Sequence, residues 1–121
     1  MAKWAEQSPN ILTLNGYQSQ AATTAIYPSA KALEYLSLGL ASEAGEVCGK
    51  LAKWYRKDSS VSFTSNWDSF PHEEVLDELG DVLWFISEMA RYLGADLSAV
   101  ANNNINKLAS RKSRGVLQGS G

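Results

Sequence analysis

The sequence predicts an all-α protein, a bundle of about four helices with two long central antiparallel ones. Three observations carry this reading. Apolar residues recur at helical spacing in two long segments: Leu33, Leu36, Leu40, Val47 and Leu51, then Val75, Leu79, Val82 and Ile86. No stretch shows the clear alternation of a half-buried strand. Pro28, Pro71 and Gly94 stand where helices start or stop.

The elements follow in order. Residues 1–14 read as an N-terminal arm, 15–112 as the folded domain and 113–121 as a flexible basic, glycine-rich tail. A first helix is expected from Asn15, as its N-cap, to Tyr27. Pro28 interrupts it, because proline disfavours helix in the residue before it. Ser29 is expected to cap a second helix from Ala30 to about Lys57. Residues 58–70 hold five serines and no helical period, and read as a mobile loop. Pro71 suits a first turn, with Glu73 and Glu74 at the positive end of the dipole. The third helix then runs to Leu93, and Gly94 ends it. Asp96 is expected to cap a fourth helix over about Leu97 to Arg111.

Length and charge narrow the class. The chain has 121 residues, which fits one domain, and a net charge of −2. That balance gives no general affinity for nucleic acid or an anionic membrane. After Asp96 no acidic residue occurs, whereas Lys107, Arg111, Lys112 and Arg114 follow. A basic end beside an acidic middle suits a ligand that is itself metal plus phosphate. The single cysteine, Cys48, excludes an intramolecular disulfide or a multi-cysteine zinc site, and its place among Val47 and Leu51 predicts a small core residue. The N-terminal residues lack the apolar stretch of a signal peptide, and the longest strongly apolar run, Val82 to Ile86, is too short to span a bilayer. A soluble, cytoplasmic protein is expected.

Chemistry is carried by two acidic couplets. Glu43 and Glu46 are three apart, as are Glu78 and Asp81, so each pair shares one helical face. At about 100° per residue, Gly39, Lys50 and Trp54 fall near the Glu43–Glu46 line. Glu74, Asp81, Phe85 and Tyr92 fall near Glu78. Both acidic lines border the apolar stripes. Four carboxylates beside a core repel one another and are costly to desolvate, and a divalent cation relieves both penalties. Mg²⁺ is the natural candidate, because it takes hard oxygen ligands and leaves positions for water and phosphate. Each couplet also encloses a glycine, Gly45 or Gly80. Mid-helix glycine costs about 1 kcal/mol relative to alanine, so the two are expected to mark where the helices approach closely.

These residues resemble a known family, the MazG-like all-α nucleoside triphosphate pyrophosphohydrolases. Leu38-Gly39-Leu40-Ala41-Ser42-Glu43-Ala44-Gly45-Glu46-Val47 looks like the family's first motif. Asp77-Glu78-Leu79-Gly80-Asp81-Val82-Leu83-Trp84 looks like its second. Asn104-x-x-Lys107-Leu108-x-x-Arg111 resembles the segment on its last helix, and Tyr17-Gln18 with Ala25-Ile26-Tyr27-Pro28 resembles the start of its shorter members. The likeness covers about residues 15–121. The stretch between the couplets is longer than is common there, and the extra length falls in the serine-rich loop.

The resemblance implies Mg²⁺-dependent hydrolysis of a nucleoside triphosphate, expected to be a deoxynucleotide, to the monophosphate and pyrophosphate, with Mn²⁺ able to substitute. Glu43, Glu46, Glu78 and Asp81 become the expected metal ligands and catalytic residues. Lys107, Arg111 and Asn104 are the expected phosphate contacts. Lys53 and Arg56 are weaker candidates, read as solvated. For the base, Phe85 is the first stacking candidate, followed by Trp54, Trp84, Tyr17 and Gln18. His72, the only histidine, reads as a surface residue. The same scaffold serves dUTPases, dCTPases and phosphoribosyl-ATP pyrophosphohydrolases, and hydrolysis of the alarmone guanosine tetraphosphate is a further possibility. A di-iron bundle would need Glu-x-x-His couplets, which are absent. A catalytically silent dimerisation module would have no physical reason to keep four such acids. Finally, a thin bundle cannot cover its apolar stripes and four tryptophans, so a homo-oligomer, dimer or tetramer, is expected.

Overall fold

The computed structural model describes residues 12–57 and 67–118. Within them it is all-helical. Helix α1 spans Leu14–Ala22, α2 Ala32–Lys57, α3 His72–Tyr92 and α4 Leu97–Ser113, with short 3₁₀ turns at Ser29–Lys31 and Trp67–Ser69. Residues 1–11, 58–66 and 119–121 lie outside the description, and with them most of the expected arm and loop and the end of the tail.

The long helices α2 and α3 pack side by side in opposite directions. Gly39 meets Phe85 near one end, Lys50 meets Glu78 midway, and Trp54 meets Phe70 at the other end. The core lies along this seam: Leu36 is fully buried, and Ala32, Trp54, Phe85 and Ala90 are nearly so. One site in the seam requires a glycine. A Cβ on Gly39 would lie inside van der Waals distance of three atoms of the Phe85 ring. This corrects the expected point of close approach. A Cβ on Gly45 or Gly80 would meet nothing within 4 Å, so these two glycines face open space.

Helix α1 packs on α3 and also organises α4. Its N-cap is Thr13, whose Oγ1 accepts from the Gly16 amide at 2.9 Å, and not Asn15. Asn15 reaches across the fold, where its Oδ1 accepts from the Ser98 amide at 3.0 Å. Gln18 is buried, and its Oε1 accepts from the Leu97 amide at 3.0 Å. Two orphan donors at the start of α4 are thus satisfied by α1, while the Asp96 side chain makes no cap hydrogen bond. Gly94 ends α3 at φ 78°, as expected of a helix stop.

The first helix is shorter than predicted. It stops at Ala22 because the Thr23 and Thr24 hydroxyls donate back to the Gln20 and Ala21 carbonyls. The Trp84 indole N–H then pins this turn, donating to Thr24 Oγ1 at 2.8 Å. A few residues on, the Tyr27 hydroxyl donates to Glu88 Oε1 at 2.7 Å. Glu88 is fully buried and also accepts twice from the Arg91 guanidinium, at 2.7 and 2.8 Å. Ser29 does not cap α2; it opens a 3₁₀ turn that leads into the helix.

Apolar side chains of both long helices are uncovered in a single chain. Leu33 on α2, Leu79, Leu83 and Ile86 on α3, and Leu93 just after α3 are exposed. Cys48 is exposed as well, which corrects its expected place in the core. It lies on the outer face of α2 with Ala41, Gly45 and Ala52, directed away from α3. Among the described residues no helix is long and apolar enough to cross a membrane.

Candidate metal centre and nucleotide site

The seam that Gly39 closes brings the acids together one turn further on. Gly39 precedes Glu43 by one turn, and Phe85 follows Asp81 by one turn, so the close approach sets the spacing of the carboxylates. Carboxylate oxygens of Glu43, Glu78 and Asp81 lie within 4.8 Å of one another. Glu43 and Glu78 are half-buried and Asp81 is exposed, so the cluster opens to solvent at one edge. Glu46 stands outside this group of three. It is exposed, one turn along α2, and its charge still reaches Glu43.

The electrostatics match a site built for a cation. The Glu43 carboxyl is pushed above its ordinary value, first by burial and then by the charges of Asp81, Glu78 and Glu46. Like charges held this close are unfavourable without a counter-charge, and the donor set is all hard oxygen, which fits Mg²⁺ or Mn²⁺. Among the described residues Lys50 supplies an internal counter-ion: its Nζ lies 3.5 Å from Glu78 Oε1. Tyr17 on α1 lies within electrostatic reach of Asp81. Its phenol is pushed up, first by burial and then by Asp81.

The other expected contacts divide. Trp54 is buried, its indole N–H donating to Ser69 Oγ at 2.9 Å, and it lines a cavity of about 610 Å³ at the far end of the α2–α3 seam. Phe85 is buried against Gly39, Tyr35 and Trp84, which gives its ring a packing role. The Trp84 indole N–H is spent on the turn after α1. Gln18 does not offer an amide to a base. Its Nε2 donates to the Ala95 and Ser87 carbonyls and its Oε1 holds Leu97, so both ends are occupied by backbone. His72 is half-buried rather than on the surface, its ring Nδ1 3.0 Å from the Phe70 carbonyl.

Lys107, Arg111 and Asn104 all lie on α4. That helix is anchored to α1 and α3 through its first turns, and every residue from 102 to 110 is exposed. Among the described residues neither Lys107 nor Arg111 forms an ion pair. Lys50 was the residue whose part was underread: it falls on the Glu43 line of the helical wheel, and that position was the available signal.

Over the described residues this is an all-helical bundle in which acids from two antiparallel helices converge on one cluster of cation size. Comparison identifies the family. Residues 31–116 match the MazG nucleotide pyrophosphohydrolase domain, and the chain belongs to that family. It is 43% identical over 111 residues to the Gene 37 protein of Mycobacterium phage L5, covering 87% of this chain and 93% of that one. No solved structure matches.

Proposed function

We propose that this protein is a Mg²⁺-dependent pyrophosphohydrolase that converts a nucleoside triphosphate, by preference a deoxynucleotide, to its monophosphate and pyrophosphate. The observation that carries the reading is the convergence of Glu43, Glu78 and Asp81 within 4.8 Å in a chain of this family. Bound there, Mg²⁺ or Mn²⁺ supplies neutralisation of phosphate charge and acidification of a water. The residues do the rest. Glu43, Glu78 and Asp81 would hold the cation. Glu46, exposed and one turn away, is free to orient the attacking water and take up its proton. The water oxygen bonds to the α-phosphorus, and the bond to the α–β bridging oxygen breaks, its electron pair leaving with pyrophosphate. Lys107, Arg111 and Asn104 are read as phosphate contacts, carried on an exposed stretch of α4. Tyr17, beside Asp81, is the aromatic best placed to meet the nucleoside.

The active unit in this reading is a homodimer or a dimer of dimers. On α3 the exposed Leu79, Leu83 and Ile86 share one helical face and support it, as does the exposed Leu33 on α2, since exposed apolar patches mark interfaces. The test is a panel of NTPs, dNTPs and guanosine tetraphosphate with Mg²⁺, products resolved by chromatography. Monophosphate and pyrophosphate, abolished by EDTA, are expected. Orthophosphate with the diphosphate as first products would refute the reaction. Asp81→Asn and Glu46→Gln should each lower kcat by orders of magnitude with the fold intact.

A further inference from the structure

We propose that the cavity beyond the carboxylate cluster is the receptacle for the β- and γ-phosphates of the substrate, and hence for the leaving pyrophosphate, held by Lys50 and Lys53. The inference rests on the pyrophosphohydrolase reading and adds a direction to it. The cavity, of about 610 Å³, is lined on its α2 side by Lys50, Lys53, Trp54 and Lys57. Volumes of this size are typical of small-molecule sites.

Two observations join this cavity to the cluster. Lys50 lines it and also lies 3.5 Å from Glu78 Oε1, so one side chain touches both. The second is angular. On α2, Glu43, Glu46, Lys50, Lys53 and Lys57 fall within about 80° of one another, a single acid-then-base track. From Glu46 to Lys50 the helix rises about 6 Å, and to Lys53 about 4.5 Å more. Phosphates in a chain are more closely spaced than these rises, and the long lysine side chains close the difference, because helical side chains lean toward the N-terminus, here back toward the carboxylates. Lys57, another turn along α2, also lines the cavity. The reverse orientation would place the nucleoside among lysines and leave the terminal phosphates beside Asp81.

The opposite wall carries Glu73 and Glu74, from the first turn of α3. Three lysines facing two carboxylates leave a modest positive field. Such a field suits a pyrophosphate whose charge is already partly neutralised by a cation, and it favours release over tight retention. The buried Trp54 ring walls off water along one side, which strengthens each charged contact there.

The test is calorimetric titration of inorganic pyrophosphate, with Mg²⁺ present, into the full chain and into Lys53→Met and Lys50→Met. Both variants should weaken pyrophosphate roughly tenfold, the effect of losing one charged hydrogen bond, and leave nucleoside monophosphate binding unchanged. Lys50→Met should in addition tighten Mg²⁺ itself, because the ammonium competing for Glu78 is gone. Circular dichroism checks that both variants fold. Unchanged pyrophosphate affinity in Lys53→Met, or equal weakening of monophosphate and pyrophosphate, would overturn the proposal. The two readings fail separately. A chain that hydrolyses triphosphates while Lys53→Met binds pyrophosphate normally loses only this inference. A chain that hydrolyses none loses the reaction, whatever its pyrophosphate affinity.

Discussion

Gly39→Ala perturbs a point where fold and site are mechanically coupled. The added Cβ would lie at 2.8 Å or less from Cε1, Cζ and Cδ1 of Phe85. Ordinary carbon contacts are about 3.5–4.0 Å, so the nearest ring atom, 2.1 Å from the added Cβ, is too close by about 1.5 Å, which ring and helix must share. The ring cannot swing freely, because it is buried and packed against Tyr35 and Trp84. The helices must therefore separate. Overpacking of this kind costs about 1–3 kcal/mol, and the gain in helix propensity returns about 1 kcal/mol. A net loss of about 1 kcal/mol is expected, a drop of roughly 4 °C in Tm for a chain of 121 residues.

The effect on the site should be out of proportion to that loss. Glu43 is one turn from Gly39 and Asp81 one turn from Phe85, so a shift of about 1 Å passes to the carboxylates nearly undiminished. Misplacement on this scale can cost about 100-fold in rate. The assay is turnover at saturating nucleotide across a Mg²⁺ titration, with thermal unfolding of the metal-free chain beside it. We expect weaker Mg²⁺ binding and about 100-fold lower kcat from a variant that still folds. Phe85→Leu in the same chain should restore part of both. A Gly39→Ala protein more stable than wild type, with unchanged Mg²⁺ affinity, would refute the coupling.

Other predictions follow from the same contacts. Gly80→Ala, with nothing within 4 Å of its Cβ, should raise the stability of the isolated chain by up to about 1 kcal/mol; the check is chemical denaturation at concentrations where the chain is monomeric. Gln18→Ala strips three hydrogen bonds from backbone groups and should cost about 2–3 kcal/mol while leaving the ranking of nucleotides unchanged; altered base preference at normal stability would reinstate Gln18 as a reader of the base. Glu88 is held below the usual carboxylate range, chiefly by its hydrogen bonds from Arg91. Its stabilisation is present above the unfolded carboxyl value and disappears as pH falls through the lower folded value. Glu88→Gln should therefore cost about 2 kcal/mol near neutrality and flatten the acid limb of the stability–pH curve; an unaltered acid limb would show that the buried pair is energetically silent.

The acid couplets were legible because their geometry is local. Three residues of α-helix set the angle between two side chains, whatever the rest of the chain does. The same locality made Gly94 readable as a helix stop and Pro71 as a helix start. Gln18 failed as a base reader for the opposite reason. Its partners lie 69 to 79 positions away, and nothing in Tyr17-Gln18-Ser19 announces that the amide will close the start of α4. Glu88 stood between these cases. Its i,i+3 relation to Arg91 was visible, but its burial depends on Tyr27 arriving from a turn whose end the Thr23 and Thr24 hydroxyls set.

The glycines show where sequence reasoning was sound in principle and wrong in address. A glycine inside a long helix does imply that something is gained from the missing side chain. Within the chain that holds for Gly39, where the Phe85 ring occupies the space a Cβ would take. Gly45 and Gly80 carry the same cost with no neighbour to explain it. Gly45 lies on an outer face with Ala41, Cys48 and Ala52, all exposed and all small. A face of small side chains on a rigid helix permits close backbone approach but supplies little burial by itself. The burial would come from Leu79, Leu83 and Ile86, which α1 leaves uncovered. Position along the sequence distinguishes neither kind of glycine; only the neighbour does. For Gly39 that neighbour is in the same chain, and for Gly45 and Gly80 the homodimer proposed above is the assembly that would provide one.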